Sequence, residues 1–260
     1  MSFNCLLIEK NNSVFTITLN RPEVFNAFND EQSYELQEAL KMAKKDDEVR
    51  VVVITGAGKA FCSGQDLKAI SGVEKRSFID SLHKRYNPII LEIRNMPKPV
   101  ICKLNGVAAG AGCSIALACD FISAVEQASL IEVFINVGLV LDSGSTYFLP
   151  RLVGSNRAFE LATMGNKVSA KQAVEWGMIN RCFNQDEFDT ETQKIIDYYA
   201  SAPTKAIGLM KKMLNKSFQS SLETILDYEA YCQETAGSSS DNKEGVAAFI
   251  EKRKPNFTGK

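Results

Sequence analysis

Val51-Val52-Val53-Ile54-Thr55-Gly56-Ala57-Gly58 decides the fold class. An apolar run without polar alternation is the pattern of a strand buried on both faces, and such strands belong mostly to parallel sheets covered by helices. Its end at Gly56-Ala57-Gly58 marks a turn. Upstream, Cys5 to Glu9 and Val14 to Leu19 are β-rich runs separated by Lys10-Asn11-Asn12-Ser13, which predicts an opening hairpin. Asn29-Asp30-Glu31-Gln32 has the form of a capping box, with Asn29 as cap and Gln32 reaching back. Behind it Leu36, Ala39, Leu40 and Ala43 fall on one helical face.

Downstream the plan repeats. A helical stretch from Phe78 to Ile93 precedes Pro97-Lys98-Pro99 and a strand from Val100 to Leu104; a Gly/Ala-rich turn and the helix Gly112 to Ala118 precede a strand from Phe121 to Ala124. Alternating apolar strands and helices predict an α/β fold with largely parallel pairing. From Ala158 onward the pattern reads as almost entirely helical, over 169–176, 187–200, 204–214, 222–235 and 243–252. We therefore expect a core over residues 1–200 and a helical region over 201–260 that packs on the core or on a neighbouring subunit.

The 260 residues carry 30 Lys+Arg against 31 Asp+Glu, a net charge of −1 that gives no general attraction for nucleic acid or an anionic membrane. A hydrophobic content of 45% excludes disorder. No apolar run is long enough to span a bilayer, and Met1-Ser2-Phe3-Asn4-Cys5 has no basic segment leading into an apolar one. The seven cysteines form no Cys-x-x-Cys pair, which fits buried reduced thiols and no metal site. The expectation is a cytoplasmic protein.

Several motifs are weighed and set aside. Thr55-Gly56-Ala57-Gly58-Lys59-Ala60 lacks the earlier glycine and the Ser/Thr of a phosphate-binding loop, and Gly106, Gly110 and Gly112 miss the dinucleotide spacing. His83 is the single histidine, better read as a surface or pocket-wall residue than as part of a triad. The run Lys205, Lys211, Lys212, Lys216 reads as a solvated helix face.

Three stretches remain: Ala60-Phe61-Cys62-Ser63-Gly64-Gln65-Asp66-Leu67-Lys68, Asn105-Gly106-Val107-Ala108-Ala109-Gly110-Ala111-Gly112-Cys113, and Gly138-Leu139-Val140-Leu141-Asp142-Ser143-Gly144-Ser145-Thr146. Side-chain-poor turns at helix starts leave N–H groups free for an anion, and two together can form an oxyanion hole. Asp142 stands in an apolar run, where a carboxylate is costly without a task or a partner. Taken alone it suits a helix cap before Ser143-Gly144-Ser145 equally well.

Read together, these stretches resemble the crotonase (enoyl-CoA hydratase/isomerase) superfamily over the whole chain. The resemblance rests on Leu19-Asn20-Arg21-Pro22, Cys62 to Leu67, Lys98 to Ile101, Asn105 to Gly112, Gly138-Leu139, Glu175 to Ile179, Glu244 to Phe249 and Lys252 to Phe257. Phe25 to Glu31, Ala108 to Gly112, Leu141 to Gly144 and Phe257 to Lys260 incline it toward the ring-epoxide isomerase branch of phenylacetate degradation. It implies a spiral of ββα units with C-terminal helices that build a homotrimer, or a hexamer of two trimers. It also implies an acyl-CoA substrate, with coenzyme A part of the substrate and no separate cofactor. By position, the oxyanion donors are the N–H groups of Gln65 and Ala111. Backbone around Ala27 and the Asp66-Leu67-Lys68 segment receive the adenine and phosphate end of CoA. The acyl pocket draws on Phe134, Leu141 and Tyr147, within walls formed by Ile70 to Leu91 and Phe134 to Tyr147.

The departures narrow the chemistry. Family hydratases use two glutamates, and the matching positions are Ser114 and Phe134. Asp142 matches the carboxylate of several isomerases and of aryl-CoA dehalogenases, but His83 does not match the dehalogenase histidine. One carboxylate that removes a proton and returns it elsewhere suits an isomerase; hydration calls for a second group to activate water. A 3-enoyl-CoA to 2-enoyl-CoA isomerase and a hydratase are the alternatives. A non-catalytic RNA- or CoA-binding relative is the remote alternative, and RNA binding is disfavoured because the helix with Lys41, Lys44 and Lys45 also bears Glu35, Glu38 and Asp46.

Overall fold

A computed structural model describes residues 3–70 and 77–260, with only the backbone of Ile70. Met1-Ser2 and the 71–76 portion of the expected pocket wall lie outside the described residues. The strands are β1 (Leu6–Asn11), β2 (Val14–Leu19), β3 (Val51–Gly56), β4 (Ala60–Cys62), β5 (Val100–Leu104), β6 (Val107–Ala109), β7 (Phe121–Val125), β8 (Ser129–Ile131), β9 (Lys167–Ser169) and β10 (Arg181–Phe183). The helices are α1 (Asp30–Lys45), α2 (Leu67–Ile70), α3 (Phe78–Ser81), α4 (Asn87–Asn95), α5 (Ala111–Ala118), α6 (Ser145–Val153), α7 (Ser155–Met164), α8 (Ala170–Glu175), α9 (Gln185–Ser201), α10 (Thr204–Ser217), α11 (Leu222–Gly237) and α12 (Ser240–Glu251). A π-helical turn, Leu82–Tyr86, joins α3 to α4.

Among the described residues the strands form two sheets, β1-β2-β3-β5-β7-β10 and β4-β6-β8-β9. Successive units β3-β4, β5-β6 and β7-β8 each give one strand to each sheet, in parallel with the unit before. That is a spiral: every turn of chain climbs by one strand. Val51 to Ile54 are all buried, as a strand covered on both faces requires. The antiparallel exceptions are the β1-β2 hairpin and the β8-β9 pair.

Some local expectations are met and others corrected. Asn29 caps α1 by accepting from the Gln32 amide at 2.8 Å, and Leu36, Ala39, Leu40 and Ala43 form its buried face. The reciprocal half of the capping box is absent, because the Gln32 side chain donates instead to the Asn26 carbonyl at 3.1 Å. The stretch after Ala158 is not purely helical: β9 and β10 each join a sheet. Three-residue strands owe their existence to pairing partners, so they carry little periodicity of their own.

The last helices fasten onto the same chain's core. Arg50 donates to the carbonyls of Ala202 and Phe257 and, at 3.1 Å, to Thr204. Lys211, expected on a solvated face, is buried: its ammonium meets Asp120 at 2.6 Å and the Ile93 carbonyl at 2.6 Å. Burial lowers its pKa, while the Asp120 carboxylate opposes that shift. No helix among the described residues is long and apolar enough to cross a membrane.

Candidate active site

The parallel register of the smaller sheet assembles the site. β4, β6 and β8 lie side by side, and each runs at its C-terminal end into one site-forming turn: Ser63-Gly64-Gln65, Gly110-Ala111, and Glu132-Val133-Phe134. The Gly110 amide donates to the Ile131 carbonyl at 2.9 Å, tying the second turn to the third. Gly64 has φ +94°, and a Cβ there would lie 2.8 Å from the Ala109 carbonyl oxygen and 3.5 Å from the Ala111 nitrogen. Only glycine permits both that backbone angle and that approach. The Gln65 and Ala111 stretches, far apart in sequence, are thereby neighbours. Ala111 opens α5 after Gly110 at φ +52°, so its N–H has no acceptor within the helix. The Gln65 N–H has no acceptor among the described residues.

Both residues line a cavity of about 500 Å³ together with Gly64, Tyr86, Phe134 and Asp142. Asp142 is the one carboxylate among the described lining residues. Burial raises its pKa, and the Ser143 hydroxyl, donating to Oδ1 at 2.7 Å, partly offsets that rise. The helix-cap reading of its side chain is not realised: Gly144 caps α6 without a side-chain bond, and the Ser145 amide meets the Asp142 backbone carbonyl at 3.0 Å. Ser143 at φ +51° and Gly144 at φ +86° turn the chain sharply before α6.

The expected site residues divide as follows. Gln65, Ala111, Asp142, Leu67 and Phe134 line the cavity, whereas Leu141 and Tyr147 do not. Leu141 packs on the core. Tyr147 lies beyond the sharp turn, with Arg151 stacked 3.7 Å from its ring centroid and its hydroxyl 3.2 Å from the Gln219 amide nitrogen. At the expected CoA end, Ala27 is buried and its carbonyl accepts from Arg21 at 2.5 Å. Asp66 accepts from the Lys68 and Ala69 amides, each at 3.1 Å, and pairs with Arg21 at 3.1 Å. Burial pushes the Asp66 carboxyl up, but those amides and Arg21 outweigh it and hold the pKa below the ordinary range. Its carboxylate is thus engaged by the protein, while Leu67 and Lys68 are exposed beside it. His83 is exposed on the π-helical turn.

Tyr86 lies within the expected 70–91 wall, whereas the Gln65 side chain and Glu132 are contributors that the sequence reading does not name. The Gln65 side chain donates to the Phe28 carbonyl at 2.8 Å and accepts from the Tyr86 hydroxyl at 2.7 Å, so it holds its own backbone in place. Tyr86 reaches the cavity from the π-helical turn, which also presents Leu82 and Arg85. Behind Asp142 lies Glu132, 2% exposed, accepting from the Ser145 hydroxyl at 2.9 Å. Desolvation raises its pKa to about 7, with the Asp142 charge adding to the rise and the Ser145 and Cys113 hydrogen bonds opposing it. The signature that exposed Asp142 in the sequence, a lone acid among apolar residues, is equally present in Leu130-Ile131-Glu132-Val133-Phe134.

Comparison with known proteins agrees with this architecture. The enoyl-CoA hydratase/isomerase family profile matches residues 9–260. The chain is 43% identical to the 1,2-epoxyphenylacetyl-CoA isomerase of Escherichia coli strain K12, over 100% of both chains. It is 34% identical to a trans-2-decenoyl-acyl-carrier-protein isomerase of Streptococcus mutans, again over 100% of both. The crystal structure of an enoyl-CoA hydratase from Bacillus anthracis superposes with a TM-score of 0.92 at 32% identity, covering 99% of this chain and 100% of that one. With the spiral of paired sheets, the two donor turns and the full-length matches, the chain belongs to the enoyl-CoA hydratase/isomerase, or crotonase, family.

Proposed function

We propose that this protein is an acyl-CoA isomerase that converts 1,2-epoxyphenylacetyl-CoA to oxepin-CoA, with Asp142 as its acid/base group. The carrying observation is that Asp142 is the one carboxylate lining the cavity among the described residues, in a cavity it shares with two turns whose amides are free to donate. The thioester oxygen sits between the Gln65 and Ala111 N–H groups. Asp142 takes the proton from the carbon beside the thioester, and the negative charge passes to that oxygen as an enolate. Donors placed where charge develops matter greatly here, since losing one typically costs about 2.7–4 kcal/mol of barrier. The C–C bond shared by the epoxide and the six-membered ring breaks as its electron pair enters the ring double bonds, which gives the seven-membered oxepin ring. The proton returns at a ring carbon two bonds from the one it left, so one carboxyl group ends as it began. Phe78, Tyr86 and Phe134 give the cavity aromatic walls that suit a flat ring. The full-length likeness to the Escherichia coli isomerase supports the same substrate.

We further infer that the chain assembles as a homotrimer or a dimer of trimers. Leu214, Phe218, Leu222, Tyr231, Phe249 and Ile250 expose large apolar side chains on or beside α10, α11 and α12, and a partner subunit would cover them.

Incubation with the epoxide-CoA, a 3-enoyl-CoA and a 2-enoyl-CoA, with products identified by mass and ultraviolet spectra, tests the assignment. Oxepin formation is expected, and the double-bond shift is a second activity open to the same base. Hydration of the 2-enoyl-CoA with neither isomerisation would overturn it. Asp142→Asn should lower kcat by several orders of magnitude with CoA-ester affinity kept within about tenfold, the pattern of a group acting in the transition state.

A further inference from the structure

Glu132 follows β8 directly, is buried, and is not among the residues that line the cavity. Its Oε1 accepts from Ser145 Oγ at 2.9 Å; Ser145 Oγ lies 2.8 Å from Ser114 Oγ; Ser114 Oγ lies 3.2 Å from the backbone carbonyls of both Gly110 and Asp142. Every group in this chain of contacts except the Asp142 carbonyl end is buried. Each hydroxyl has one proton to give. An acceptor at Glu132 takes the Ser145 proton, which leaves the Ser114 proton for the two carbonyls. One of those belongs to the proposed base, and the other precedes the proposed oxyanion donor Ala111. We infer that Glu132 is a positioning residue: through Ser145 and Ser114 its carboxyl group locks the turn bearing Asp142 to the turn bearing the Ala111 N–H.

This inference rests on the assignment of Asp142 as the base. Glu132 works in its neutral form. Its Oε2 has no hydrogen-bond partner, and no cation pairs with it among the described residues. A buried anion so poorly solvated is costly. The titratable groups facing it are Cys113 from α5, whose thiol burial keeps protonated, and Asp142 from the turn before α6. When Glu132 does ionise, a second negative charge appears behind Asp142 and beside the donor turn, where it opposes build-up of the enolate. The reaction should therefore lose rate as pH rises through the range where Glu132 gives up its proton.

The test is the pH dependence of kcat and KM for the full-length wild type, Glu132→Gln, Glu132→Ala and Asp142→Asn with 1,2-epoxyphenylacetyl-CoA. Wild type should lose rate above about pH 7, whereas Glu132→Gln, a permanently neutral acceptor for Ser145, should lack that decline and exceed wild type by about threefold or more at about pH 8.5. Glu132→Ala, which leaves Ser145 without its acceptor, should lower kcat by about tenfold or more at every pH with KM little changed. Thermal melting of each variant establishes that it is folded, and Glu132→Gln serves if the alanine variant is not. A folded Glu132→Ala enzyme with wild-type kcat would overturn the inference, and a Glu132→Gln profile superimposable on wild type would overturn the neutral working form of Glu132. An active Asp142→Asn enzyme would instead remove the base assignment beneath it, a result read independently of the Glu132 profiles.

Discussion

Glu132→Gln should change the stability of the fold in a pH-dependent way, separately from any effect on turnover. The ordinary value for a glutamate is 4.5, and burial raises Glu132 to about 7, so the folded chain binds this proton more tightly than the unfolded chain does. The resulting stability is fully present below about pH 4.5 and is lost as pH rises toward about 7, beyond which the loss is constant. That rise corresponds to about 3 kcal/mol. Glutamine carries no proton to lose. Whatever its second N–H costs in the pocket of Cys113 and Ser145 is the same at every pH, so it cancels when two pH values are compared. The stability of the variant relative to wild type should therefore rise by about 3 kcal/mol between about pH 4.5 and pH 8. For a chain of this size that is about 6–12 °C in the difference of melting temperatures. The measurement is thermal melting of both proteins at the two pH values and at one protein concentration, because assembly also shifts the midpoint. A difference between the proteins that stays constant with pH would mean that Glu132 titrates normally, and the argument from its buried, unpartnered oxygen would fail.

Two further substitutions probe the donor turns. In Gly112→Ala the added Cβ would fall on the Cys62 carbonyl, far inside van der Waals contact, and 2.8 Å from the Cys62 Cβ. Because that carbonyl belongs to backbone, α5 must move away from β4; we expect about 1–3 kcal/mol of lost stability and a fall in kcat of about a hundredfold, read by denaturant unfolding and initial rates. Gln65→Ala removes the contacts to Phe28 and Tyr86 that fix its own backbone, so kcat should fall by about tenfold or more although the donating N–H remains. Unchanged kinetics would return Gln65 to a purely backbone role.

Much of the framework is written in local pattern. Val51 to Ile54, and Val100 to Leu104 apart from Lys103, are apolar over enough residues to declare buried strands, and each is one. Asn29 declares the start of α1 because its side chain needs nothing beyond the next turn. Asp142 is conspicuous as a carboxylate without local company, and Glu132 carries the same mark. Other features exist only through partners distant in the chain. The three residues of β4, β6 and β8 are strands because they lie against one another, and that pairing is what brings the Gln65 and Ala111 amides to one cavity. Adjacency in sequence misleads in the opposite sense at Tyr147, since the backbone turns sharply at Ser143 and Gly144 before α6, and at Leu141, whose side chain packs on the core. The roles of the two acids are separated in the same manner. By itself the sequence determined an α/β fold and marked Asp142 as a lone carboxylate among apolar residues, a mark that Glu132 shares. Which of them faces the substrate space, and which is held behind it by two serines, was decided by tertiary structure, because only packing sets a side chain's direction and the hydroxyls within its reach.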